Sequence, residues 1–263
     1  MKNIDIHIVG LGNLGTAFLD ALISQSFKLY LYEQDLNLKD KIYKKYKLPV
    51  NENLNHIESG VLILCIKPQN VISFLKNTKD FISEEVLICS PVAGLQISTL
   101  NEHLKNKVIR IMPNLLIRNK NGFIPYCKNY SDDYLGFENS LLSTLGKIKE
   151  YEENHFPLIT ALSGSGPAWF YELANQLVVA GAKHGLDPVD AEFIVKELVK
   201  SLPNLVSKDE SFHDLVTKVK SPNGTTEAGL NSLKQASFDT IIHNAIEKAS
   251  QRSVEISKDL ENE

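Results

Sequence analysis

The stretch Ile4-Asp5-Ile6-His7-Ile8-Val9-Gly10-Leu11-Gly12-Asn13-Leu14-Gly15 decides the fold of the first half of the chain. Its first six residues are rich in β-branched side chains and stop at a glycine, which predicts a strand. Apolar residues then recur at helical spacing from Leu14 to Ile23, which predicts a helix. A strand, a turn with three glycines and a helix therefore follow one another directly.

The spacing of these glycines is that of a dinucleotide-binding turn. Gly10 permits a tight turn, Gly12 lets the backbone approach a pyrophosphate, and Gly15 allows the helix to pack closely on the strand. The amides and the dipole at the helix N-terminus attract the phosphates. A purely structural glycine-rich turn is the alternative. The residues that we expect to bind the cofactor here are Gly10, Leu11, Gly12, Asn13, Leu14 and Gly15.

Glu33 follows a second short strand, Lys28–Tyr32. It lies roughly 20 residues after the glycine turn, where an acidic side chain binds the adenosine ribose hydroxyls and repels a 2′-phosphate. We assign Glu33 to cofactor binding, and its charge favours NADH over NADPH. Gln34 or Asn37 could contact the ribose instead, and Glu33 could be a solvated surface residue. NADPH and NADH both remain candidates.

Continuous apolar runs recur at Val61–Ile66, Val86–Cys89 and Val108–Met112, with helical patterns between them. Such runs are typical of strands that are covered on both faces of a parallel sheet. The alternation predicts an α/β fold, with an N-terminal doubly wound sheet of the Rossmann type. We further expect an edge hairpin, Gly122–Cys127 with Lys147–Tyr151, whose strands flank a helix over 133–145.

After about residue 155 the strand signals stop and an all-helical half begins. We therefore expect a dinucleotide-binding domain over 1–154 and a helical substrate-binding and dimerisation domain over 155–263. Several of its helices carry apolar residues around much of their circumference, which predicts a homodimer. Packing of this half on its own sheet alone is the alternative. The expected helices are Pro167–Lys183, Pro188–Leu202, Phe212–Val219, Glu227–Lys234 and Phe238–Lys258.

Composition and charge exclude several classes of protein. The formal net charge is -4 and the lysines are scattered, so neither nucleic acid nor a membrane surface is an expected partner. The three cysteines have no CxxC spacing, and the seven histidines have no spacing for metal or triad chemistry. No apolar run has the length of a membrane span or of a signal peptide's apolar region. We expect a cytoplasmic enzyme without a metal.

Two strand ends place polar groups at the carboxyl edge of the predicted sheet. Cys65-Ile66-Lys67-Pro68 closes the third strand, where its backbone borders the cofactor cleft and Lys67 can reach the phosphates or the substrate. Asn114 follows Arg110-Ile111-Met112-Pro113 and can bind the nicotinamide ribose or carboxamide. An exposed strand-end lysine and a turn asparagine are the structural alternatives.

Two further segments join hydroxyl groups to bare backbone amides just before a helix. Ser163-Gly164-Ser165-Gly166 precedes Pro167, so its amides and the helix dipole can hold a carboxylate. An N-capping serine beside flexible glycines is the alternative. Ser221-Pro222-Asn223-Gly224-Thr225-Thr226-Glu227-Ala228-Gly229-Leu230 has the same character, and can grip a small anion while one hydroxyl lies beside a reacting atom.

The order of these motifs (G-x-G-x-x-G, C-I-K-P, R-I-M-P-N, T-A-L-S-G-S-G-P-A-W and S-P-N-G-T-T-E-A-G-L) closely resembles pyrroline-5-carboxylate reductase from about Ile4 to Ser257. The resemblance implies reduction of 1-pyrroline-5-carboxylate to L-proline by hydride from NAD(P)H, the last step of proline biosynthesis. It implies interleaved helical dimers, which in this family often assemble into larger rings. The family's catalytic threonine falls on Thr226, and its cofactor-edge lysine falls on Lys67. Its carboxylate-binding loop falls on Ser221, Gly224 and Thr225, and the amides of Gly224 and Thr225 would bind the carboxylate.

Some positions depart from the family pattern. Leu115-Leu116 replaces the usual Thr-Pro, Pro91-Val92-Ala93-Gly94 replaces a small Ala-Ala-Gly turn, and Asn223 replaces a glycine. These departures keep open a non-catalytic or altered-substrate relative. A β-hydroxyacid dehydrogenase is the other alternative, but it needs a lysine four residues after its glycine motif. Phe170 occupies that position, and the first lysine after Gly166 is Lys183.

Overall fold

The protein is described by a computed structural model over residues 4–206 and 209–262. The chain divides into two compact units: Met1–Ser165 with Glu247–Glu263, and Gly166–Ile246. The expected boundary at 154/155 therefore differs from that of the compact units. The segment after 154 stays with the first unit because Glu153 and Phe156 contact Arg110. The end of the last helix stays there because the Ser257 hydroxyl donates to the Gly94 carbonyl (2.6 Å).

The described part of the first unit contains one sheet with the order β3-β2-β1-β4-β5-β6-β7-β8. All neighbouring strands are parallel except β6 and β7. This arrangement confirms the doubly wound Rossmann-type sheet. The strands are β1 Asp5–Val9, β2 Lys28–Tyr32, β3 Val50–Asn51, β4 Gly60–Leu64, β5 Val86–Ser90, β6 Val108–Ile111, β7 Gly122–Lys128 and β8 Gly146–Glu150.

The expected edge hairpin is wrong, because β7 and β8 run parallel with Gly122 opposite Gly146. Parallel neighbours require a crossover connection rather than a hairpin turn. A 3₁₀ turn, the π-helix Phe137–Leu142 and a short α-helix supply that crossover, where one helix was expected over 133–145. A Cβ atom at Gly146 would lie 1.9 Å from the Gly122 carbonyl oxygen, so this close pairing requires a glycine.

Helices cover both faces of the sheet and bury two apolar clusters. Ile8, Phe18 and Leu22 lie in the cluster beneath α1, and Leu62, Val71 and their neighbours lie in the cluster on the other face. The sequence analysis did not identify α2 and β3. The α-helices of this unit are α1 Asn13–Leu22, α2 Leu36–Tyr46, α3 Pro68–Thr78, α4 Ile97–His103, α5 Ser143–Leu145 and α6 Phe156–Ile159.

The second unit is all-helical, as expected, but has almost no core within one chain. Ala191 is the only buried apolar side chain among its described residues, 166–206 and 209–246. Large apolar side chains such as Phe170, Val189 and Phe193 are 73%, 74% and 64% exposed. Its helices are α7 Gly166–Lys183, α8 Pro188–Ser201, α9 Phe212–Val219, α10 Thr225–Gln235 and the first part of α11 Phe238–Glu261.

A histidine is buried in the first strand of the sheet. His7 Nδ1 lies 3.1 Å from the Tyr32 hydroxyl, and its ring stacks on Tyr30. Burial lowers the pKa of His7 to about 4; Asp5 opposes this shift and Lys28 adds to it. Between about pH 6.5 and about pH 4, the His7 imidazole is therefore mostly neutral in the folded protein and mostly protonated in the unfolded chain.

We expect His7 to make the protein less stable as the pH falls from about 6.5 to about 4, because protons bind preferentially to the unfolded chain in that window. The free energy of unfolding, measured by urea titration at pH 7.5 and pH 5, should drop more in the wild type than in His7→Gln. The exposed His184→Gln serves as the control and should match the wild type. An equal drop in all three proteins would contradict the assignment.

Candidate functional site

The glycine turn between β1 and α1 is formed by close contacts of the backbone. Gly10 has φ +86°, and its amide donates to the Tyr32 carbonyl (2.9 Å). A Cβ atom at Gly10 would lie 2.5 Å from the Cys65 carbonyl oxygen, and one at Gly15 would lie 2.0 Å from the Gly10 carbonyl oxygen. Both positions therefore require glycine, as the motif predicts.

The N-terminus of α1 has the features of a phosphate site. Gly12 is the N-cap and provides no side-chain acceptor for the first-turn amides, which include those of Asn13 and Leu14. A Cβ atom at Gly12 would meet no atom within 4 Å, so a ligand can approach the backbone from that side. The pyrophosphate of a dinucleotide fits such a site, because free amides and the positive end of the helix dipole face open space.

Glu33 fixes the end of β2 beside this turn. One oxygen of its carboxylate accepts from the Leu11 amide (2.8 Å), and the other accepts from the amides of Gln34 and Asp35 (2.8 and 3.0 Å). These bonds hold a negative charge at the position where an acidic side chain meets the adenosine ribose. Glu33 is thus more than the solvated surface residue that the sequence left open.

Two charged residues that follow Glu33 are already bonded within the chain. The Asp35 carboxylate caps α2 by accepting from the amides of Asn37 and Leu38. The Lys39 ammonium lies on the first turns of α2 and pairs with Glu52 (2.6 Å). A phosphate group bound here would meet two carboxylates and a lysine that is already paired.

The segment Cys65–Pro68 borders the turn through its backbone. The Cys65 amide donates to the Val9 carbonyl (2.7 Å), and burial raises the pKa of the Cys65 thiol well above its usual range. Lys67 is the N-cap of α3, with Pro68 at the first helical position. Its side chain is exposed and forms no ion pair with the residues described, so it is available to a ligand.

Asn114 is a turn asparagine, which the sequence analysis gave as the structural alternative. Its side-chain oxygen accepts from the Leu116 amide (3.0 Å), which caps a 3₁₀-helix. Its Nδ2 donates to the Ser163 carbonyl (3.1 Å). Asn114 therefore joins the carboxyl edge of the sheet to the Ser163–Gly166 motif. A direct contact of Asn114 with the nicotinamide stays a prediction.

The Ser163–Gly166 motif is itself helical, whereas the sequence predicted that the helix begins only after it, at Pro167. After α6 comes a π-helical turn, Thr160–Gly164, closed by a bond from the Ser165 amide to the Thr160 carbonyl (2.8 Å). The next helix, α7, begins at Gly166 itself. A π turn spreads the backbone by one residue and is frequent at functional sites.

The motif that begins at Ser221 forms a tight turn before α10. Asn223 adopts φ +59°, and the Gly224 amide donates to the Ser221 carbonyl (3.0 Å). A Cβ atom at Gly224 would lie 2.3 Å from Ser221 Oγ, so a larger residue there would displace the Ser221 hydroxyl. The Gly224 amide closes the turn in this structure, and its expected use for a substrate carboxylate stays a prediction.

The amides left for an anion are those of the first turn of α10. Gly224 is the N-cap and offers no side-chain acceptor to the amides of Thr225 and Thr226. The Thr226 hydroxyl is half-buried and makes no hydrogen bond to any residue within the described ranges. Two amides and a free hydroxyl on one helix turn can bind a carboxylate and a neighbouring polar atom.

Glu227 stabilises this turn, and the sequence analysis missed that role. Its carboxylate accepts from the Asn223 amide (2.8 Å) and pairs with Lys220 (3.3 Å). The Asn223 amide and then Lys220 lower the pKa of Glu227. A Glu at the third helical position that reaches back over the helix start is the signal that could have revealed it.

Each unit thus gathers its own set of predicted residues. The first unit brings together the glycine turn, Glu33 and the Cys65–Pro68 edge, and it joins Asn114 to Ser163. The second unit brings together Ser221, Gly224, Thr225 and Thr226, and Gly166 begins its first helix.

Comparison with known proteins identifies the family. The model of "pyrroline-5-carboxylate reductase dimerisation" matches residues 153–256, and that of "NADP oxidoreductase coenzyme F420-dependent" matches residues 5–94. Pyrroline-5-carboxylate reductase 1 of Bacillus spizizenii is 35% identical over 209 residues, which cover 78% of this chain and 70% of that protein. This chain belongs to the pyrroline-5-carboxylate reductase family. The reductase of Methanosarcina acetivorans is 28% identical and is covered over its whole length, with 98% of this chain.

Solved structures of pyrroline-5-carboxylate reductases have the same fold. The Plasmodium falciparum enzyme with NADP bound gives a TM-score of 0.84 at 28% identity, covering 97% of this chain and 100% of that one. The Streptococcus pyogenes enzyme gives 0.85 at 26% identity, covering 96% and 98%. In the described part of this reductase-family chain, no helix is long and apolar enough to span a membrane. The same residues contain no group of three or more His, Cys, Asp or Glu placed to hold a metal ion.

We expect the Glu33 carboxylate to select NADH over NADPH by repelling the 2′-phosphate. In the Glu33→Gln variant the ratio of the two dissociation constants should shift toward NADPH by about tenfold, which corresponds to about 1.4 kcal/mol. Fluorescence titration of the protein with each cofactor measures both constants without requiring turnover.

The matched control is Glu84→Gln, which removes an exposed carboxylate that pairs with Lys105. It should leave the ratio unchanged. A wild type that binds NADPH more tightly than NADH, or a Glu33→Gln ratio equal to that of the wild type, would refute the role of Glu33.

Proposed function

We propose that this protein reduces 1-pyrroline-5-carboxylate to L-proline with hydride from NAD(P)H, the last step of proline biosynthesis. The observation that carries this proposal is the turn at Ser221–Gly224, which leaves the amides of Thr225 and Thr226 and the Thr226 hydroxyl free. It lies within the region that matches the family's dimerisation model. The glycine turn, Glu33 and Lys67 bind the cofactor.

The substrate is a cyclic imine with a carboxylate on its ring, and the chain offers groups for each part. The Thr225 and Thr226 amides donate charge-assisted hydrogen bonds to the carboxylate, with the Ser221 hydroxyl beside them. The Ser163–Gly166 motif, at the end of the π turn Thr160–Gly164, adds the Ser163 and Ser165 hydroxyls for the substrate. Gly224 contributes by allowing the turn to close.

The bound nicotinamide supplies a hydride to the imine carbon, while the ring nitrogen gains or already carries a proton. Thr226 donates or accepts a hydrogen bond at that nitrogen. Because a threonine hydroxyl is a weak acid, its main effect is to orient the imine at about 3 to 3.5 Å from the hydride donor. Orientation of this kind accounts for a large part of the rate in reactions between two bound partners.

The loss of the Thr226 hydroxyl tests this assignment. In Thr226→Ala we expect turnover to fall at least about tenfold, equivalent to about 1.4 kcal/mol of barrier, with the affinity for NAD(P)H kept. Thr226→Ser retains the hydroxyl and should recover most of the turnover. Absorbance at 340 nm follows the oxidation of the cofactor in the presence of 1-pyrroline-5-carboxylate.

Thr217→Ala is the control for a hydroxyl elsewhere in this unit, since Thr217 Oγ1 bonds only the His213 carbonyl of its own helix. It should match the wild type. Unaltered turnover in Thr226→Ala would reject the catalytic role, and a wild type without activity on this substrate would reject the proposed function.

We infer a homodimer formed through the helical unit, with the Ser221–Thr226 loop completing the partner's site, and assembly of dimers into larger rings. The support is the exposure of Val189, Phe193 and similar side chains in a unit with almost no core of its own. Apolar surface of this extent is typical of obligate interfaces. The three free thiols fit a reducing cytoplasm.

Replacing an apolar side chain on α8 by a charged one tests the interface. Light scattering should give the wild type a mass of two chains or a multiple of two, and Phe193→Lys should lower it because a buried ammonium is costly. Lys196→Ala removes an exposed side chain of the same helix and should keep the wild-type mass. A monomeric wild type would contradict the dimer.

A second candidate, a relative with an altered substrate, is favoured by one observation. Leu115 and Leu116 are 48% and 42% exposed beside Asn114, where the family usually has Thr-Pro. Apolar groups there would accept a larger or more apolar imine. The 340 nm assay with cyclic imines of five-membered and six-membered rings separates the two candidates by their kcat/KM values.

A further inference from the structure

A buried arginine lies on β6, away from the residues that the proposed function uses. Arg110 is 2% exposed, and one of its guanidinium nitrogens donates to the Glu153 carboxylate (2.8 Å). The guanidinium carbon lies 4.7 Å from the centre of the Phe156 ring. Its Nε is buried and has no hydrogen-bond partner among the residues described. Burying a charged guanidinium is costly when one of its nitrogens has no hydrogen-bond partner, so packing alone does not explain an arginine here.

The partner of Arg110 is itself part of a junction. The same Glu153 oxygen also accepts from the Ile97 amide (2.9 Å), the first residue of α4. Glu153 thus ties three pieces together: the middle of β6, the start of α4 and the start of the helical segment that leads through α6. Arg110 is the buried member of this junction.

The other end of the same segment is held by residues further along the chain from β6. Met112 follows two residues later and so faces the same side of the sheet as Arg110. A Cβ atom added at Gly164 would lie 3.5 Å from the Met112 sulfur, so Met112 packs under the π turn. Asn114 then bonds the Ser163 carbonyl. Arg110, Met112 and Asn114 therefore contact the segment at its beginning and at its end.

Between these contacts the segment has an unusual backbone. The Thr160 hydroxyl donates to the Phe156 carbonyl (2.7 Å), and the Ser165 amide bonds the Thr160 carbonyl in the π turn. The Arg110 guanidinium lies over the Phe156 ring, one helical turn before this π turn. Movement of Phe156 would therefore shift the amides of Ser163, Gly164 and Ser165.

We propose that Arg110 is a positioning residue, which through Glu153 and Phe156 holds the π turn Thr160–Gly164 in the conformation that presents the Ser163 and Ser165 hydroxyls to the substrate. Arg110 does not touch the substrate or the cofactor. This role rests on the proposed function, because that function assigns the Ser163–Gly166 motif to substrate binding. Among the described residues, no hydrogen bond or ion pair joins Arg110 to the glycine turn or to Glu33, so we expect cofactor binding to be independent of it.

Single and double variants separate the loss of the guanidinium from the loss of its partner's charge. Arg110→Met removes the guanidinium and keeps a long side chain, Glu153→Gln removes the partner's charge, and the double variant removes both. Arg110→Lys keeps the positive charge and tests rescue. The control is Lys105→Met, which breaks the exposed ion pair with Glu84 in the same unit.

The first readout is steady-state kinetics with 1-pyrroline-5-carboxylate. In Arg110→Met we expect KM for the imine to rise about tenfold, while KM for NADH changes less than about twofold. The double variant should be no worse than Arg110→Met, since residues that act together are not additive. Arg110→Lys should recover part of the loss, and Lys105→Met should equal the wild type. Equal changes in both KM values, or no change in either, would overturn the proposal.

The second readout does not depend on activity. Hydrogen exchange of the amides over 158–165 should be faster in Arg110→Met and in Glu153→Gln than in the wild type, with the glycine turn unchanged. If exchange in this segment is unaltered, the positioning role is rejected even when the enzyme is active. If exchange changes but the wild type does not reduce the imine, the proposed function fails and the structural link stands. Should Arg110→Met not fold, Arg110→Lys and Glu153→Gln carry the same comparison.

Discussion

The close approach of three backbone segments, at Gly10, Gly15 and Cys65, is the constraint on which the first unit depends. A single methyl group at Gly10 or Gly15 would lie within 2.5 Å of a carbonyl oxygen. Since no side chain fits between β1, α1 and the end of β4, the N-terminus of α1 is held at the carboxyl edge of the sheet. The cofactor motifs can act together because this contact brings their backbones side by side.

Hydrogen bonds from backbone amides position the two carboxylates at this edge of the sheet. The Glu33 carboxylate accepts from three amides, and Asp35 caps the next helix. Hydrogen bonds to a charged acceptor are the stronger ones, so the backbone fixes the position of the negative charge at the end of β2. In the second unit Glu227 has a similar part, holding the turn from which the amides of α10 project.

The two units solve the problem of burial in different ways. The first covers both faces of its sheet and buries side chains from Ile6 to Leu260. The second leaves its large apolar side chains exposed in a single chain, and Ala191 is the one apolar side chain that its described residues bury. A unit of that kind gains stability by association, because apolar surface removed from water contributes roughly 25 cal/mol per Å².

The sequence by itself determined the order of most strands and helices, the glycine turn, the acidic residue after β2 and most helix bounds of the second unit. These features depend on period, on glycine and on proline, whose effects act over a few residues. Only the tertiary structure decided the parallel pairing of β7 with β8, the π turn at Ser163 and the use of the Gly224 amide within its own turn. It also decided that Asn114 and Arg110 hold the segment 153–165. Each of these outcomes depends on contacts between residues that are distant in the sequence, or on one competing hydrogen bond. Local sequence patterns predict neither the distant contacts nor the competing bond.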